Sequence, residues 1–277
     1  MGAFAEPSGE SRFHLPQAKC HTDDQEKLDT TPQAPPLVID DPSTPGCNRW
    51  EINVVMSEDY SKSEKDFQLP LLDINYGLGN DIQFKYEVPN SIYQSDEETR
   101  RGVGESNFGI KYKFFEDEEK DAQVAVYPQY QFVTPSSQGV EKGVAQSGSI
   151  IALPILYSTR VGTNRLGEIM MTANLGYNIS TKADTADFVS SAIAVGMPVH
   201  PKISIMAELA ADKSFIFNRF GIRDEIYRVD VGAFSAFIKH VLLFGSVGQS
   251  LYSSDGQNHT YILAGLRIQE LSSLIFW

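Results

Sequence analysis

Residues 82–88 read Ile82-Gln83-Phe84-Lys85-Tyr86-Glu87-Val88. Apolar and polar side chains alternate without a break. Ile82, Phe84, Tyr86 and Val88 share one face, and Gln83, Lys85 and Glu87 the other. A period of two marks a strand, because successive side chains leave an extended backbone on opposite sides. The pattern spreads along the chain. Phe108-Gly109-Ile110-Lys111-Tyr112-Lys113-Phe114 repeats it. Val124, Val126, Pro128, Tyr130 and Phe132 alternate with Gln123, Ala125, Tyr127, Gln129 and Gln131. Tyr227, Val229, Val231 and Ala233 alternate with Arg228, Asp230 and Gly232, and Ile262, Ala264, Leu266 and Ile268 lie opposite Arg267. No helix-period segment of useful length competes.

Such runs give roughly twelve strands, an even number as bacterial barrels require. They fall near 48–57, 66–76, 82–92, 104–115, 122–133, 147–159, 167–179, 186–197, 202–211, 225–238, 241–250 and 259–268. The links between them alternate too. Stretches 77–81, 116–121, 160–166, 198–201 and 239–240 are short or turn-like. Stretches 58–65, 93–102, 134–146, 180–185, 212–224 and 251–258 are longer and polar. Outer-membrane barrels have short periplasmic turns and longer outer loops. The expected fold is therefore all-β: a closed up-and-down antiparallel transmembrane β-barrel of about 12 strands in the cell outer membrane, with both termini periplasmic. Its expected partners are outer-membrane lipids and the outer-membrane assembly machinery.

Charge decides which face meets lipid. Opposite the apolar face stand Asp73, Lys85, Glu87, Lys111, Lys113, Glu208, Arg228, Asp230 and Arg267. A Lys or Arg facing lipid at mid-depth costs about 2–4 kcal/mol. A dry core would exact several kcal/mol per ion. A wet lumen takes both signs cheaply, so these nine are the candidates for lumen-facing or selectivity residues. They read either as charge rings that select solutes or as a paired network filling a narrow barrel. A soluble antiparallel sheet with its polar face in bulk water explains any single strand. It does not explain a dozen strands with no helices to cover a second sheet.

The composition agrees. The 277 residues are 42% hydrophobic, with a mean hydropathy of -0.23 and no long apolar run of the kind a membrane helix needs. Barrel strands alternate, so an unremarkable mean does not exclude a membrane protein. The net charge of -13 and pI of about 4.8 exclude a nucleic-acid binder and a polybasic lipid-surface anchor.

Residues 1–47 differ from the rest. Thr22-Asp23-Asp24-Gln25-Glu26 and Thr31-Pro32-Gln33-Ala34-Pro35-Pro36 typify an extended, acidic, Pro-rich tail that has too little apolar surface to fold alone. Only Leu37-Val38-Ile39 could dock somewhere. One hypothesis has the tail threading into the lumen as a plug, with Asp40-Asp41 meeting the lumen lysines. Cys20 and Cys47 are the only cysteines, and neither has metal-ligand spacing. A disulfide between them and two free thiols are both open. Ala3-Phe4-Ala5 before Glu6 has the small-x-small form of an export cleavage site, by design or by coincidence. The expected division is the tail at 1–47, the barrel at 48–268 and a short C-terminal segment at 269–277.

No enzyme, cofactor or metal is expected. Gly77-Leu78-Gly79 and Gly102-Val103-Gly104 precede strands, not the helix a phosphate-binding loop requires. For a barrel lipase, His259 with Ser253 or Ser254 is the one pairing to propose.

Three stretches resemble a known family. They are Pro45-Gly46-Cys47-Asn48-Arg49-Trp50-Glu51-Ile52-Asn53, then 69–89 with its Leu69-Pro70-Leu71-Leu72-Asp73 start and its Gly77-Leu78-Gly79-Asn80-Asp81 turn, then 102–114 followed by Tyr127-Pro128-Gln129. Together they resemble bacterial outer-membrane β-barrels of the phenol-degradation (meta-pathway) transporter-like family. The resemblance covers about Trp50–Pro135 and implies a porin-like channel or transporter for small hydrophobic or aromatic compounds. The alternatives are a structural barrel with a filled lumen and no transport, and a barrel lipase. One departure stands out. Such barrels usually end their last strand on an aromatic residue, whereas the alternation here stops near Ile268 and the chain runs on to Trp277.

Overall fold

The computed structural model describes Phe13, Cys20 and residues 37–272 other than 136 and 239. The strands are β1 (Arg49–Tyr60), β2 (Glu64–Leu78), β3 (Ile82–Ser95), β4 (Thr99–Val103), β5 (Glu105–Asp117), β6 (Ala122–Val126), β7 (Gln129–Val133), β8 (Ser149–Thr163), β9 (Glu168–Ser180), β10 (Phe188–His200), β11 (Ile203–Ser214), β12 (Glu225–Ile238), β13 (Val241–Ser253) and β14 (Thr260–Ser272). Every ladder is antiparallel, and β1 pairs with β14, which closes the sheet on itself.

β4 and β5 continue one another past Gly104, and β6 and β7 continue one another past Tyr127-Pro128. β4 and β5 both pair with β3, and β6 and β7 both pair with β5 and β8, so the fourteen segments make a wall of twelve staves. The breaks have local causes. Pro128 has no N–H for the ladder. A Cβ at position 104 would run into Ser91 Oγ. The expected all-β architecture, a closed antiparallel barrel of about twelve strands, is the observed one.

Burial along the staves is inside-out. Ile155, Leu175, Leu209, Val231 and Leu243 are each more than half exposed, whereas Asn53, Glu208 and Asp230 are no more than 2% exposed. An apolar wall on this scale is a liability in water and suits a lipid environment. The polar residues occupy the interior.

At one end the turns are 79–81, 118–121, 164–167, 201–202 and 239–240; at the other they are 61–63, 96–98, 134–148, 181–187, 215–224 and 254–259. Two expectations need correction. Links 58–65 and 93–102 are tight hairpins, closed by Ser61 N donating to Glu64 O and Ser95 N to Glu98 O, each at 2.9 Å. The ladder runs beyond the point where side-chain alternation fades, because polar strand ends need hydrogen bonds but no apolar face. The last strand also runs on, to Ser272. Leu271 and Ser272 pair with Trp50 and Arg49 across a register shift. The strand therefore ends past residue 268, inside the stretch set apart as a C-terminal segment; residues 273–277 lie outside the described residues.

Candidate functional site: the lumen and the segment inside it

Residues 37–46 sit inside the barrel. Leu37 and Ile39 pack against Val55, Ala194, Met206, Phe234, Leu242 and Phe244, all inward-facing side chains of the wall. This part of the inner wall is apolar, which the alternation did not foretell. Phe234 has the same parity as Arg228 and Asp230, so the signal was in the sequence but looked like a lapse in the polar face. The segment's backbone is held by charged groups. Glu208, on β11, accepts from the Ile39 N–H at 2.8 Å through one oxygen and from the Val38 N–H at 3.3 Å through the other. Lys111, on β5, donates to the main-chain carbonyls of Asp41 at 2.7 Å and Ser43 at 3.1 Å. Thr44 Oγ1 donates to Asn80 O at 2.8 Å, near the short-turn end. Asp41 thus meets a lumen lysine, but through its carbonyl. Its carboxylate is taken by Ser43.

The other candidates also face inward, in separate groups and not as a ring. Lys85 pairs with Glu87 at 2.7 Å, and Asn107 donates to the same carboxylate at 3.1 Å. Asp73 accepts from Asn53 and Asn75, each at 2.9 Å. Arg267 donates to Asn53 at 3.0 Å and lies 3.3 Å from Glu51. Lys113 pairs with Glu116 at 2.7 Å, toward the short-turn end. Arg228 and Asp230 pair at 2.9 Å, and the Arg228 guanidinium lies 4.3 Å from the Tyr261 ring centre. Each stave contributes these groups at alternate positions because only that face meets the lumen.

Several lumen residues escaped the sequence reading. Tyr127 is fully buried, with the ammonium groups of Lys111 and Lys85 4.8 and 5.9 Å from its ring centre. Its place just before Pro128 looked like a polar-face position in a strand. Asn53, Asn75 and Gln83 form an amide chain with Asp73, in which Gln83 donates to Asn75 at 2.5 Å. Two cavities flank the inner segment. One, of about 380 Å³, is lined by Asp40, Asn53, Lys85, Lys111, Tyr127 and Arg267 among others. The second, of about 480 Å³, is lined by Val38, Asn107, Asn174, Phe188, Arg228 and Tyr261 among others.

Cys20 and Cys47 are joined in a disulfide, with a Cα–Cα distance of 5.4 Å. Asn48, next in the chain, donates to Gly77 O at 2.9 Å beside the 79–81 turn, so the bridge sits at the short-turn end.

His259 lies at the opposite rim. Its Nδ1 is 2.9 Å from Asp59 Oδ1 and its Nε2 is 2.9 Å from Asp255 Oδ2. Burial disfavours its charge, but the hydrogen bonds its ring donates to Asp255 and Asp59 outweigh that and hold its pKa above the ordinary value of 6.5. With both ring nitrogens on carboxylates, neither is left to take a proton from Ser253 or Ser254, as a lipase mechanism needs.

No family model matches the chain, and no curated protein matches it. Solved structures do. The COG4313 outer membrane channel from Pseudomonas putida F1 aligns over 80% of this chain and 95% of its own, with a TM-score of 0.66 at 12% identity. The NanC porin aligns over 79% and 99% with a TM-score of 0.56 at 7% identity. The translocator domain of the autotransporter NalP from Neisseria meningitidis aligns over 80% and 88% with a TM-score of 0.53 at 8% identity. At such identities the likeness is one of fold: this chain has the fold of an outer-membrane β-barrel.

Proposed function

We propose that the protein is an outer-membrane channel for small hydrophobic or aromatic compounds, with its lumen narrowed by its own N-terminal segment and both termini in the periplasm. The observation that carries the narrowing is the seating of residues 37–44 within the wall, bonded by Glu208 and Lys111. Apolar contacts with Leu37 and Ile39 line one side of the lumen and paired ions the other, a surface suited to small compounds with apolar bodies. The resemblance of 69–89 and 102–114 to the phenol-degradation transporter-like family points to the same substrate class. The COG4313 and NanC likenesses, both to channels by description, favour transport over a structural role.

The test is deletion of residues 2–44 followed by single-channel recording. Conductance should rise severalfold; unchanged conductance would remove the plug from the proposal. The rival, a filled structural barrel without transport, is favoured by the pairing of the lumen ions. Liposome swelling with small aromatic solutes separates the two. Swelling faster than with protein-free liposomes supports transport, and equal rates support the rival.

A further inference from the structure

The hairpin loop 215–224 joins β11 to β12 at the long-loop end. Its sequence is Phe215-Ile216-Phe217-Asn218-Arg219-Phe220-Gly221-Ile222-Arg223-Asp224. Phe215, Ile216, Phe217, Phe220 and Ile222 are each 53–69% exposed. Five large apolar side chains crowded into one loop are unusual for a surface bathed in water alone.

The loop is built to present them. Asn218 Oδ1 accepts from the N–H groups of Phe220 and Ile222, each at 2.9 Å, and Ser214 N donates to Asp224 O at 2.8 Å. Asn218 Nδ2 also donates to Asp184 O, and Arg219 N to Ala183 O at 3.4 Å, which leans the loop's polar side on the 181–187 loop. The apolar side chains are left outside these contacts. Just below, Lys213, Glu225 and Tyr227 form a polar belt at the top of the apolar wall. The loop thus follows directly on the rim of the apolar wall, a position that in a membrane-embedded barrel lies near the head groups. Its charges are distinctive in a chain of net charge -13: Arg219 and Arg223 form no salt bridge among the described residues, Arg223 acts on Glu225 only at longer range while Lys213 holds that carboxylate, and Arg223 lies 4.7 Å from the Phe217 ring centre.

We propose that this loop is a docking surface for the phosphorylated glycolipid of the outer leaflet. Phe215, Phe217, Phe220 and Ile222 dip toward its acyl chains, and Arg219 and Arg223 meet its phosphates. Aromatic side chains with adjacent cations fit that interface, where an apolar body and an anionic head group lie within a few ångströms of each other. The inference rests on the reading that the long-loop end faces outward.

Three experiments on the full-length protein test it. In a chain with Trp50→Phe and Trp277→Phe, Phe217→Trp serves as the probe, Leu243→Trp as a lipid-facing reference and Val140→Trp as a reference on another loop at the same rim. The folded barrels are placed in phosphatidylethanolamine vesicles with bromine-labelled acyl chains, with and without lipid A. With lipid A, emission from the Phe217→Trp probe should shift to the blue and be quenched by bromine more nearly like the Leu243→Trp reference. Removing the lipid A phosphates, or substituting Arg219→Ala with Arg223→Ala, should return it to the Val140→Trp level. Iodide quenching with no bromine quenching in any vesicle would overturn the proposal. Bromine quenching indifferent to the phosphates would overturn the choice of glycolipid. Orientation is read separately, by labelling Val140→Cys on intact cells with a membrane-impermeant maleimide. Absence of label there sinks the orientation, whatever the quenching shows.

Discussion

Glu208 is almost wholly enclosed, yet both its carboxylate oxygens have partners, the main-chain N–H groups of Val38 and Ile39. A buried carboxylate without donors would be strongly disfavoured. The inner segment and the carboxylate therefore need each other: one brings donors with no strand partner, the other an acceptor that forms no salt bridge among the described residues and feels Arg228 only at longer range. Hydrogen bonds to a charged group contribute about 1.5–3 kcal/mol. Glu208→Gln keeps one acceptor and loses the charge; Glu208→Ala loses both. The expected order of open-channel probability is native, then Gln, then Ala, with the segment seated less often at each step. Single-channel recording reads this directly. Equal traces for all three would mean that Leu37 and Ile39 hold the segment through apolar contact alone. Gly77 carries a second residue-scale constraint, because a Cβ there would collide with the Gly46 carbonyl. Gly77→Ala should therefore displace the 45–48 stretch and destabilise the barrel by about 1–3 kcal/mol, measurable as a lower midpoint in urea.

At the scale of elements, the weak point of a closed sheet is the seam between first and last strands. Here β1 and β14 share a full ladder, and at the rim Asp59, His259 and Asp255 clasp it. Because the His259 pKa is raised, its contribution is complete below its ordinary value of 6.5 and is lost as pH rises through the raised value. Burial pushes the Asp255 pKa up, but hydrogen bonds from Ser253, Gln257 and His259 bring it below 3.8. Its contribution is complete above 3.8 and is lost as pH falls through the lowered value. The clasp is thus strongest between these ordinary values. Its carboxylates are partly exposed, so solvent screening limits it to about 0.5–1 kcal/mol. Amide exchange at Tyr60 and Thr260 should quicken from pH 6 to pH 9 beyond the intrinsic chemical rate, and His259→Leu should abolish that excess. An equal excess in both proteins would remove the clasp. The elements were legible in the sequence because each stave separates lipid from lumen, so alternation marks it twice, once by grease and once by charge. Residues 37–47 carry no period, since they belong to no ladder. Their docking was visible only as a lone apolar run, Leu37-Val38-Ile39, in a polar tail. Which ions pair was not legible either, because period two assigns a face but not a depth, and pairs such as Lys113 with Glu116 depend on where the turn falls.

At the scale of the whole molecule, several of the lumen's ions are compensated by a neighbour of opposite sign, while Glu208, Asp73 and Lys111 are held by neutral donors and acceptors, their opposite signs offsetting one another in part. Lys85 answers Glu87, Arg228 answers Asp230, and Arg267 lies between Glu51 and Asn53. A pore selects ions by an excess of one sign along its wall, and pairing cancels that excess within a few ångströms. The native channel should therefore discriminate weakly between potassium and chloride, with a reversal potential near zero in a salt gradient. Cancellation is also what makes the balance easy to tip. Lys85→Met would strip Glu87 of its cation while leaving Asn107 as its donor, and Asp73 stands on the neighbouring strand opposite Glu87. The wall would then carry an uncompensated acidic patch beside the smaller cavity, which both Asp73 and Glu87 line. Solutes passing the inner segment there would meet net negative charge, so the reversal potential should move to the cation-selective side. Lys85 makes no hydrogen bond to residues 37–46 among the described residues and attracts Asp40 only at longer range, whereas Glu208 and Lys111 bond the segment directly, so the open probability should change little. A shift in open probability without a shift in reversal potential would show that the lumen charges hold the segment in place and do not meet the permeating ions.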